Sequence, residues 1–209
     1  MRMPTIPTKT YCRSRRHVLG LGAAGVAAAL LPGSAFALTD AQARSLIQKA
    51  VNDVNAAIAS GRTGSALYAM FERIFARYAD VNVIARSALG VAARQASPAQ
   101  LTAFTKAFQG YLSRKYGKRF REFQGAKFQI QGARPVKTFY EVKTLASLPG
   151  QAPFEVLWQV SDRSGSDKFF NLIVEGVNML ASERAEIGAM LDRRRGNIDA
   201  MIEDLKRAG

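Results

Sequence analysis

The chain has 209 residues, a formal net charge of +14, and only one cysteine and one histidine. A single cysteine excludes an intrachain disulfide, and so few soft ligands argue against a zinc, copper or haem site. Because 48% of the residues are hydrophobic, the chain can bury one sizeable core, and we expect one folded domain.

The first 37 residues have the features of a removable leader. Arg15 and Arg16 directly precede an apolar run over residues 18–31, and small residues that include Ala35 and Ala37 follow it. This order is typical of a secretory signal peptide, and the arginine pair indicates the twin-arginine route. The run is shorter than the roughly 20 residues of a membrane-spanning helix. We predict cleavage after Ala37, export to the periplasm, and a working domain over residues 38–209.

Removal of this leader would restrict the chemistry that the protein can perform. The leader contains Cys12 and His17, and without it the net charge falls from +14 to +9. The remaining residues then offer neither a Ser-His-Asp nor a Cys-His centre. They also contain no P-loop, G-x-S-x-G, S-x-x-K or H-E-x-x-H motif. We therefore expect no cofactor and no metal.

Helix signals dominate the first part of the working domain. Thr39 and Gln42 match a capping box, so a first helix is predicted from residue 40 to about residue 60. Apolar residues at helical spacing predict a second helix over residues 63–79. Asp80 is placed to cap a short third helix, which Gly90 ends.

The fourth predicted helix begins after Ser97, where Pro98 and Gln100 give a capping box with proline in the first turn. The helical spacing extends to about residue 123. Its apolar face carries six aromatic residues, Phe104, Phe108, Tyr111, Tyr116, Phe120 and Phe123. Such a face is either ordinary packed core or the wall of an apolar cavity, and both readings require the same pattern.

Basic residues are concentrated in two places. One is the run of residues 193–195, and the other is the end of the fourth helix, with Arg114, Lys115, Lys118, Arg119 and Arg121. A solvated surface explains most such residues. Contact with an anionic lipid surface is the alternative, because each Lys or Arg near such a surface adds about 1 kcal/mol. We expect no nucleic-acid partner for an exported protein.

The period then changes from helical spacing to strict alternation. Four short strands are predicted, over residues 128–131, 136–144, 154–160 and 168–175. Two more helices follow, over residues 182–195 and 197–206. This order indicates a single α+β domain, in which a twisted four-stranded antiparallel sheet packs against about six to seven helices.

Several segments occur in an order and spacing that resemble one family. They are D-V-N-V-I-A-R-S-A-L-G at residues 80–90, S-P-A-Q-L-T-A-F-T-K-A-F at residues 97–108, K-F-F-N-L-I-V-E-G at residues 168–176 and G-N-I-D-A-M-I-E-D-L at residues 196–205. The chain is identified as a member of the MlaC, or toluene-tolerance, family of periplasmic lipid-binding proteins. Many members carry an aromatic residue shortly after the A-L-G step, whereas this chain has V-A-A-R at residues 91–94.

The resemblance implies a phospholipid carrier that performs no chemistry, so we expect no enzyme activity and no catalytic residue. Such a protein holds lipid tails in an apolar cavity between a sheet and helices and leaves the headgroup near solvent. It exchanges lipid between an outer-membrane lipoprotein–porin complex and an inner-membrane ABC transporter with an MCE-domain subunit. This traffic maintains the lipid asymmetry of the outer membrane. We expect the carrier to be a monomer.

The apolar faces within the family-like segments predict which residues line the cavity. From the helices these are Val83, Leu89, Phe104, Phe108, Tyr111, Leu112, Met179 and Met190. From the sheet they are Val142, Trp158, Val160, Phe170, Leu172 and Val174. The two methionines are adaptable fillers of an irregular apolar space.

Three alternatives stay open. A carrier of the same family could take hopanoids rather than phospholipids. A small α+β enzyme of the ketosteroid-isomerase type would need a buried Asp or Glu that faces an apolar pocket. A structural adaptor with a filled core would have the same composition. Lipid that co-purifies with the protein would separate the carriers from the other two.

Overall fold

The computed structural model describes residues 38–209, except for the side chains of residues 120 and 121. The helices of this part are α1 (Asp40–Ala59), α2 (Gly64–Tyr78), α3 (Val81–Leu89), α4 (Pro98–Gly117), α5 (Met179–Arg193) and α6 (Ile198–Arg207). The strands are β1 (Lys127–Val136), β2 (Phe139–Ser147), β3 (Phe154–Ser161), β4 (Lys168–Val174) and β5 (Val177–Asn178). The predicted leader, with Arg15, Arg16, Ala35 and Ala37, lies outside the described residues.

The expected α+β architecture is confirmed, but the strand count is wrong. The sheet is an antiparallel meander of five strands in the order β1-β2-β3-β4-β5, rather than four. The missed strand, Val177–Asn178, pairs with the end of β4 and has only two residues. A strand this short gives no alternating pattern, so the sequence did not reveal it.

The predicted helix starts are confirmed where a side chain caps the helix. In α1 the Gln42 amide donates to Thr39 Oγ1 at 3.3 Å, and the Thr39 amide donates back to Gln42 Oε1 at 2.9 Å. Ser97 and Gln100 form the same reciprocal pair at the start of α4, at 3.1 and 3.0 Å. Asp80 accepts from the Val83 amide at 3.2 Å and caps α3. These signals are local, so the sequence alone specifies them.

The predicted end of α4 is wrong by six residues. The helix stops at Gly117, and a short 3-10 turn (Phe120–Phe123) follows. Glycine weakens a helix, and here it also admits the ring of Tyr68 from α2, since a Cβ at Gly117 would lie 2.5 Å from Tyr68 Cδ1. The aromatic pattern gave no warning of this end, because Phe120 and Phe123 are three residues apart, a spacing that fits one side of an α-helix as well as a 3-10 turn.

Two other boundaries differ from the prediction. Val136 ends β1 instead of starting β2, because Lys137 and Thr138 form a two-residue hairpin between the strands. Lys137 has a φ of 53°, a conformation that glycine or asparagine usually supplies, so no turn residue marked this hairpin. Helix α5 begins at Met179 rather than residue 182, with Asn178 as its cap.

The helices cover one face of the sheet. Helix α1 lies against β1 and β2, and α3 and α5 lie against β4. On this inner face Val142 of β2 is opposite Trp158 of β3, and Trp158 is opposite Leu172 of β4. The main hydrophobic core lies between this face and the helices. No helix within residues 38–209 has the length and apolar character needed to cross a bilayer.

The outer face of the sheet carries a line of polar side chains across four strands. Arg134 of β1 donates to Glu141 of β2 at 3.0 and 2.5 Å, and Gln159 of β3 donates to the same carboxylate at 3.2 Å. Asn171 of β4 donates to Gln159 at 3.1 Å and accepts from the Leu180 amide of α5 at 3.1 Å. These bonds connect the β1–β2 hairpin to the start of α5.

Strand β1 forms one edge of the sheet and is irregular. A bulge shifts its register between Ile130 and Gly132, and Pro135 lies near its end. Lys127 and Arg134 are exposed on it.

Candidate functional site

Most of the predicted cavity residues lie together between the helices and the sheet. Nine are at most 9% exposed and belong to one contiguous cluster: Leu89, Phe104, Phe108, Tyr111, Leu112, Val142, Trp158, Val160 and Met190. Phe170, Leu172 and Val174 are partly buried against this cluster. Met179 is partly buried at the start of α5, whereas Val83 is 41% exposed on α3.

Helix α4 contributes a row of aromatic rings to the centre of this layer. Phe104 and Phe108 stack at 5.5 Å between ring centroids, and Phe108 and Tyr111 stack at 6.0 Å. All three side chains are at most 1% exposed. Their spacing of four and three residues places them on one side of the helix. The helix therefore turns an apolar side into the core, where it packs against α2, α3 and α6 and shares one buried cluster with the inner face of the sheet.

The sheet side of the layer is also apolar, because its polar atoms are bonded to each other. Trp158 Nε1 donates to Thr144 Oγ1 at 3.0 Å, and that hydroxyl donates to the Val156 carbonyl at 3.2 Å. The Trp158 ring meets Phe169 edge-on at 5.4 Å, and Phe169 meets Phe75 of α2 at 6.1 Å.

Sequence reasoning missed Phe169 and named its neighbour Phe170 instead. Strict alternation from Leu172 places Phe170 on the inner face. A register shift between Gln159 and Val160 changes the pairing, so that Phe169 is opposite Val160. Phe170 contacts the ring of Phe139 at 5.4 Å. A bulge of this kind leaves no signal in a hydrophobic pattern, because one extra residue inverts all later positions.

A polar cluster joins α4 to α5 beside the aromatic row. We call the five residues Tyr111, Lys115, Tyr116, Glu183 and Glu186 the α4–α5 cluster. Lys115 Nζ lies 2.8 Å from Glu183 and 2.5 Å from Glu186. The Tyr111 hydroxyl donates to Glu186 at 2.6 Å, and the Tyr116 hydroxyl donates to Glu183. Glu183 is 4% exposed, and its Oε2 is buried without a hydrogen-bond partner among the described residues.

The α4–α5 cluster keeps its two tyrosines protonated and Glu186 charged at neutral pH. Burial and the bond to Glu186 raise the pKa of Tyr111, and burial and the bond to Glu183 raise the pKa of Tyr116. Burial opposes the charge of Glu186, but bonds from Lys115 and Tyr111 outweigh it and lower the pKa of that carboxyl. A general acid in an apolar pocket would need the opposite shift. The cluster therefore has the electrostatics of a structural contact.

Several basic residues at the end of α4, for which the sequence suggested contact with a lipid surface, bind the chain itself. Arg114 donates to the carbonyls of Leu205 and Ala208, both at 2.8 Å, and so satisfies the end of α6. Lys118 donates to the Gly209 carbonyl at 2.6 Å. Together with Lys115, these residues fix the helices against one another.

A small cavity lies apart from the apolar layer. A cavity of about 190 Å³ lies between the start of α2 and the end of α4, and its lining includes Leu67, Tyr68 and Gly117. Pockets for drug-sized ligands have volumes of about 300–1,000 Å³, so this one is too small for a phospholipid. No group of His, Cys, Asp or Glu residues within 38–209 is arranged to hold a metal ion.

Two comparisons with known proteins agree with this architecture. The family described as MlaC protein matches residues 46–207. Among solved structures, the fold is similar to that of a phospholipid-binding protein from Ralstonia solanacearum, which was solved in complex with a phospholipid. The TM-score is 0.69 and the identity 18%, and the match covers 79% of this chain and 95% of that one. The family match spans most of the chain, and the chain therefore belongs to the MlaC family.

Proposed function

We propose that this protein is a periplasmic phospholipid carrier that holds acyl tails between α4 and the inner face of the sheet. The observation that carries the proposal is the single buried cluster that joins the aromatic residues of α4 to the inner face of the sheet, in a chain of the MlaC family. The similar R. solanacearum protein was solved with a phospholipid bound. Leu89, Phe104, Phe108, Trp158, Leu172 and the other buried residues of this layer are the proposed contacts.

The energetics of lipid transfer suit a site without catalytic groups. Exposing acyl chains to water costs about 0.8 kcal/mol per CH2, so two tails of about 16 carbons cost on the order of 25 kcal/mol. An apolar layer recovers most of this free energy and needs few polar contacts. The α4–α5 cluster is then structural, and the protein performs no chemistry on its lipid.

Release of the lipid requires a partner, because the same free energy prevents it from leaving for water. As the family resemblance implies, we propose an outer-membrane lipoprotein–porin complex and an inner-membrane ABC transporter with an MCE-domain subunit as these partners. The predicted leader would deliver the protein to the compartment between them.

Native mass spectrometry of protein purified from its host's periplasm tests the proposal. We expect co-purified phospholipid, which extraction and fragmentation would identify. A bound hopanoid instead of a phospholipid would support a carrier function with a different lipid ligand. If no lipid is bound and none is taken up from phospholipid vesicles, the carrier function is wrong.

Adjacent residues of β4 provide a matched pair of variants for this test. Leu172 is on the inner face opposite Trp158, and Ile173 is opposite Leu157 on the other face. Both are partly buried. We expect Leu172→Arg to lose bound lipid and Ile173→Arg to keep it, with thermal unfolding as the check that both variants fold. Equal lipid content in two folded variants would contradict the proposed location.

A further inference from the structure

One stretch of the sequence is basic and contains no carboxylate of its own. Residues 81–121 contain eight Lys or Arg residues and no Asp or Glu. Within this stretch, Arg114, Lys115 and Lys118 are bonded to the chain itself. Arg86 and Arg94 are exposed and form no ion pair with any residue that the structure describes.

Helices α3 and α5 bring a third arginine to the same surface. Val83, Arg86 and Gly90 are spaced by three and four residues and therefore share one side of α3 and its end. The guanidinium of Arg184, from α5, lies against Gly90 at the end of α3. A Cβ atom built at Gly90 would be 3.1 Å from Arg184 Nε and 3.4 Å from Nη2. The absence of a side chain at Gly90 is what lets the guanidinium lie there. Arg184 is exposed and also has no ion pair with the described residues.

The 3-10 turn after α3 extends this surface. Val91 and Arg94 are three residues apart in the turn (Gly90–Arg94), and side chains at that spacing eclipse in a 3-10 helix. Val91 is 66% exposed and Val83 is 41% exposed. We call this surface the α3 face, and it consists of Val83, Arg86, Val91, Arg94 and Arg184.

The composition of the α3 face is that of a contact site for another protein. Two of the three large apolar side chains that are exposed among residues 38–209 lie on it, Val83 and Val91. Protein interfaces combine an apolar centre with arginine, whose planar guanidinium binds carboxylates through two bonds. A bilayer surface favours exposed aromatic residues, and none is among those three side chains.

We propose that the α3 face docks a partner protein whose contact surface carries carboxylates around an apolar centre. A second copy of this chain does not fit, because residues 38–209 carry a net charge of +9 and would bring like charges together. The inference rests on the proposed function, since a carrier must meet a protein that loads or unloads it.

Sedimentation with membrane vesicles of the host that expose their periplasmic face tests this docking. The variant R86E/R94E/R184E reverses the charge of the α3 face. The control K49E/K127E/R163E makes the same charge change at exposed residues of α1, β1 and the β3–β4 turn. We expect the first variant to bind about tenfold more weakly than wild type or worse, and the control to bind like wild type.

Two further vesicle preparations distinguish a protein partner from a lipid surface. We expect weak binding to the same vesicles after protease treatment, and to protein-free vesicles rich in phosphatidylglycerol. Equal binding to protein-free vesicles would replace the proposal with a lipid surface. Binding of R86E/R94E/R184E at the wild-type level, or no binding of wild type to any preparation, would overturn it. Arg94→Glu alone, at an exposed site, repeats the test if the triple variant does not fold.

Lipid content separates this inference from the proposed function. We expect R86E/R94E/R184E to retain the lipid of wild type in native mass spectrometry, because the α3 face is outside the apolar layer. If neither protein carries lipid, the carrier function fails while the docking result stands. If the variant loses lipid as well as binding, the α3 face is part of the lipid site and the docking proposal is wrong.

Discussion

Glu183 is the charged residue that the described fold buries most deeply. A buried carboxylate is tolerated only when neighbouring groups donate to it or neutralise it, and Glu183 has Lys115 and the Tyr116 hydroxyl for this purpose. Both bonds reach the same oxygen, so the loss of either donor leaves the charge poorly compensated. The residue is therefore sensitive to small changes on α4.

We expect Tyr116→Phe to destabilise the protein by about 2 kcal/mol, because it removes a hydrogen bond to a buried charge. Urea unfolding measures the change. Tyr68→Phe is the matched control, since the Tyr68 hydroxyl has no hydrogen bond to the described residues. Equal stability of the two variants would contradict a structural role for the Tyr116 hydroxyl.

The same tyrosines make the protein sensitive to alkaline pH. The pKa values of Tyr111 and Tyr116 are raised in the folded state, so their contribution to stability is complete below the unfolded value of about 10 and is lost as the pH rises above it. We expect the difference in unfolding free energy between wild type and Tyr116→Phe to shrink between about pH 9 and about pH 11. Urea unfolding of both proteins across this pH range measures the difference, with tyrosinate absorbance as a second probe. A difference in unfolding free energy that stays constant with pH would contradict the role of the Tyr116 hydroxyl.

At the level of elements, the helices are joined by specific contacts as well as by the core. The cap of α4 also contacts α6, because Gln100 Nε2 donates to Asp199 at 2.9 Å. Gly117 lets α2 approach the end of α4 through Tyr68. A methyl group added at Gly117 would disturb the second contact.

Ser97→Ala should cost about 1 kcal/mol of unfolding free energy, because the Gln100 amide at the start of α4 loses its acceptor. Ser45→Ala is the control, since Ser45 is an exposed interior residue of α1 where alanine favours the helix. Thermal unfolding of both variants checks this. A Ser97 variant as stable as wild type would mean that the cap contributes little.

Gly117→Ala is expected to destabilise the protein by about 1–3 kcal/mol, since the new methyl group overlaps the Tyr68 ring. Gly188→Ala in α5 should do the opposite, because a Cβ there meets nothing within 4 Å and alanine is the better helix former. Chemical denaturation gives both values. The same sign for both substitutions would contradict the argument from space.

Features that depend on residues close together in the sequence were predicted, whereas features that depend on distant residues or on an unusual turn residue were missed. The capping pairs Thr39–Gln42 and Ser97–Gln100 lie within one turn and predicted the starts of their helices correctly. The β1–β2 hairpin was missed because Lys137 is not a usual turn residue. The α4–α5 cluster was missed because Lys115 and Glu183 are far apart in sequence and meet only in the fold.

At the level of the whole molecule, composition determines how the protein responds to its surroundings. Residues 38–209 contain no cysteine and no histidine. Histidine is the side chain whose ordinary pKa lies closest to neutral pH, and cysteine is the one that thiol reagents and oxidants modify most readily. The stability of this part of the chain should therefore not depend on redox conditions.

We expect the unfolding free energy of residues 38–209 to be constant between about pH 6 and about pH 7.5, and to be the same with and without a thiol reductant. Urea unfolding at several pH values in this range measures it. A slope within the range would reveal a carboxyl group with a strongly raised pKa, as the alternative of a small pocket enzyme requires.

The irregular edge of the sheet bears on how concentrated the protein can become. Exposed edge strands recruit strands from other molecules, and aggregation then follows. The bulge of β1, its Pro135 without an N–H group, and the charges of Lys127 and Arg134 all oppose such pairing. The opposite edge, β5, is only two residues long. Neither edge therefore offers a second molecule a long open row of backbone groups, so we expect the sheet not to seed aggregation when the protein is concentrated.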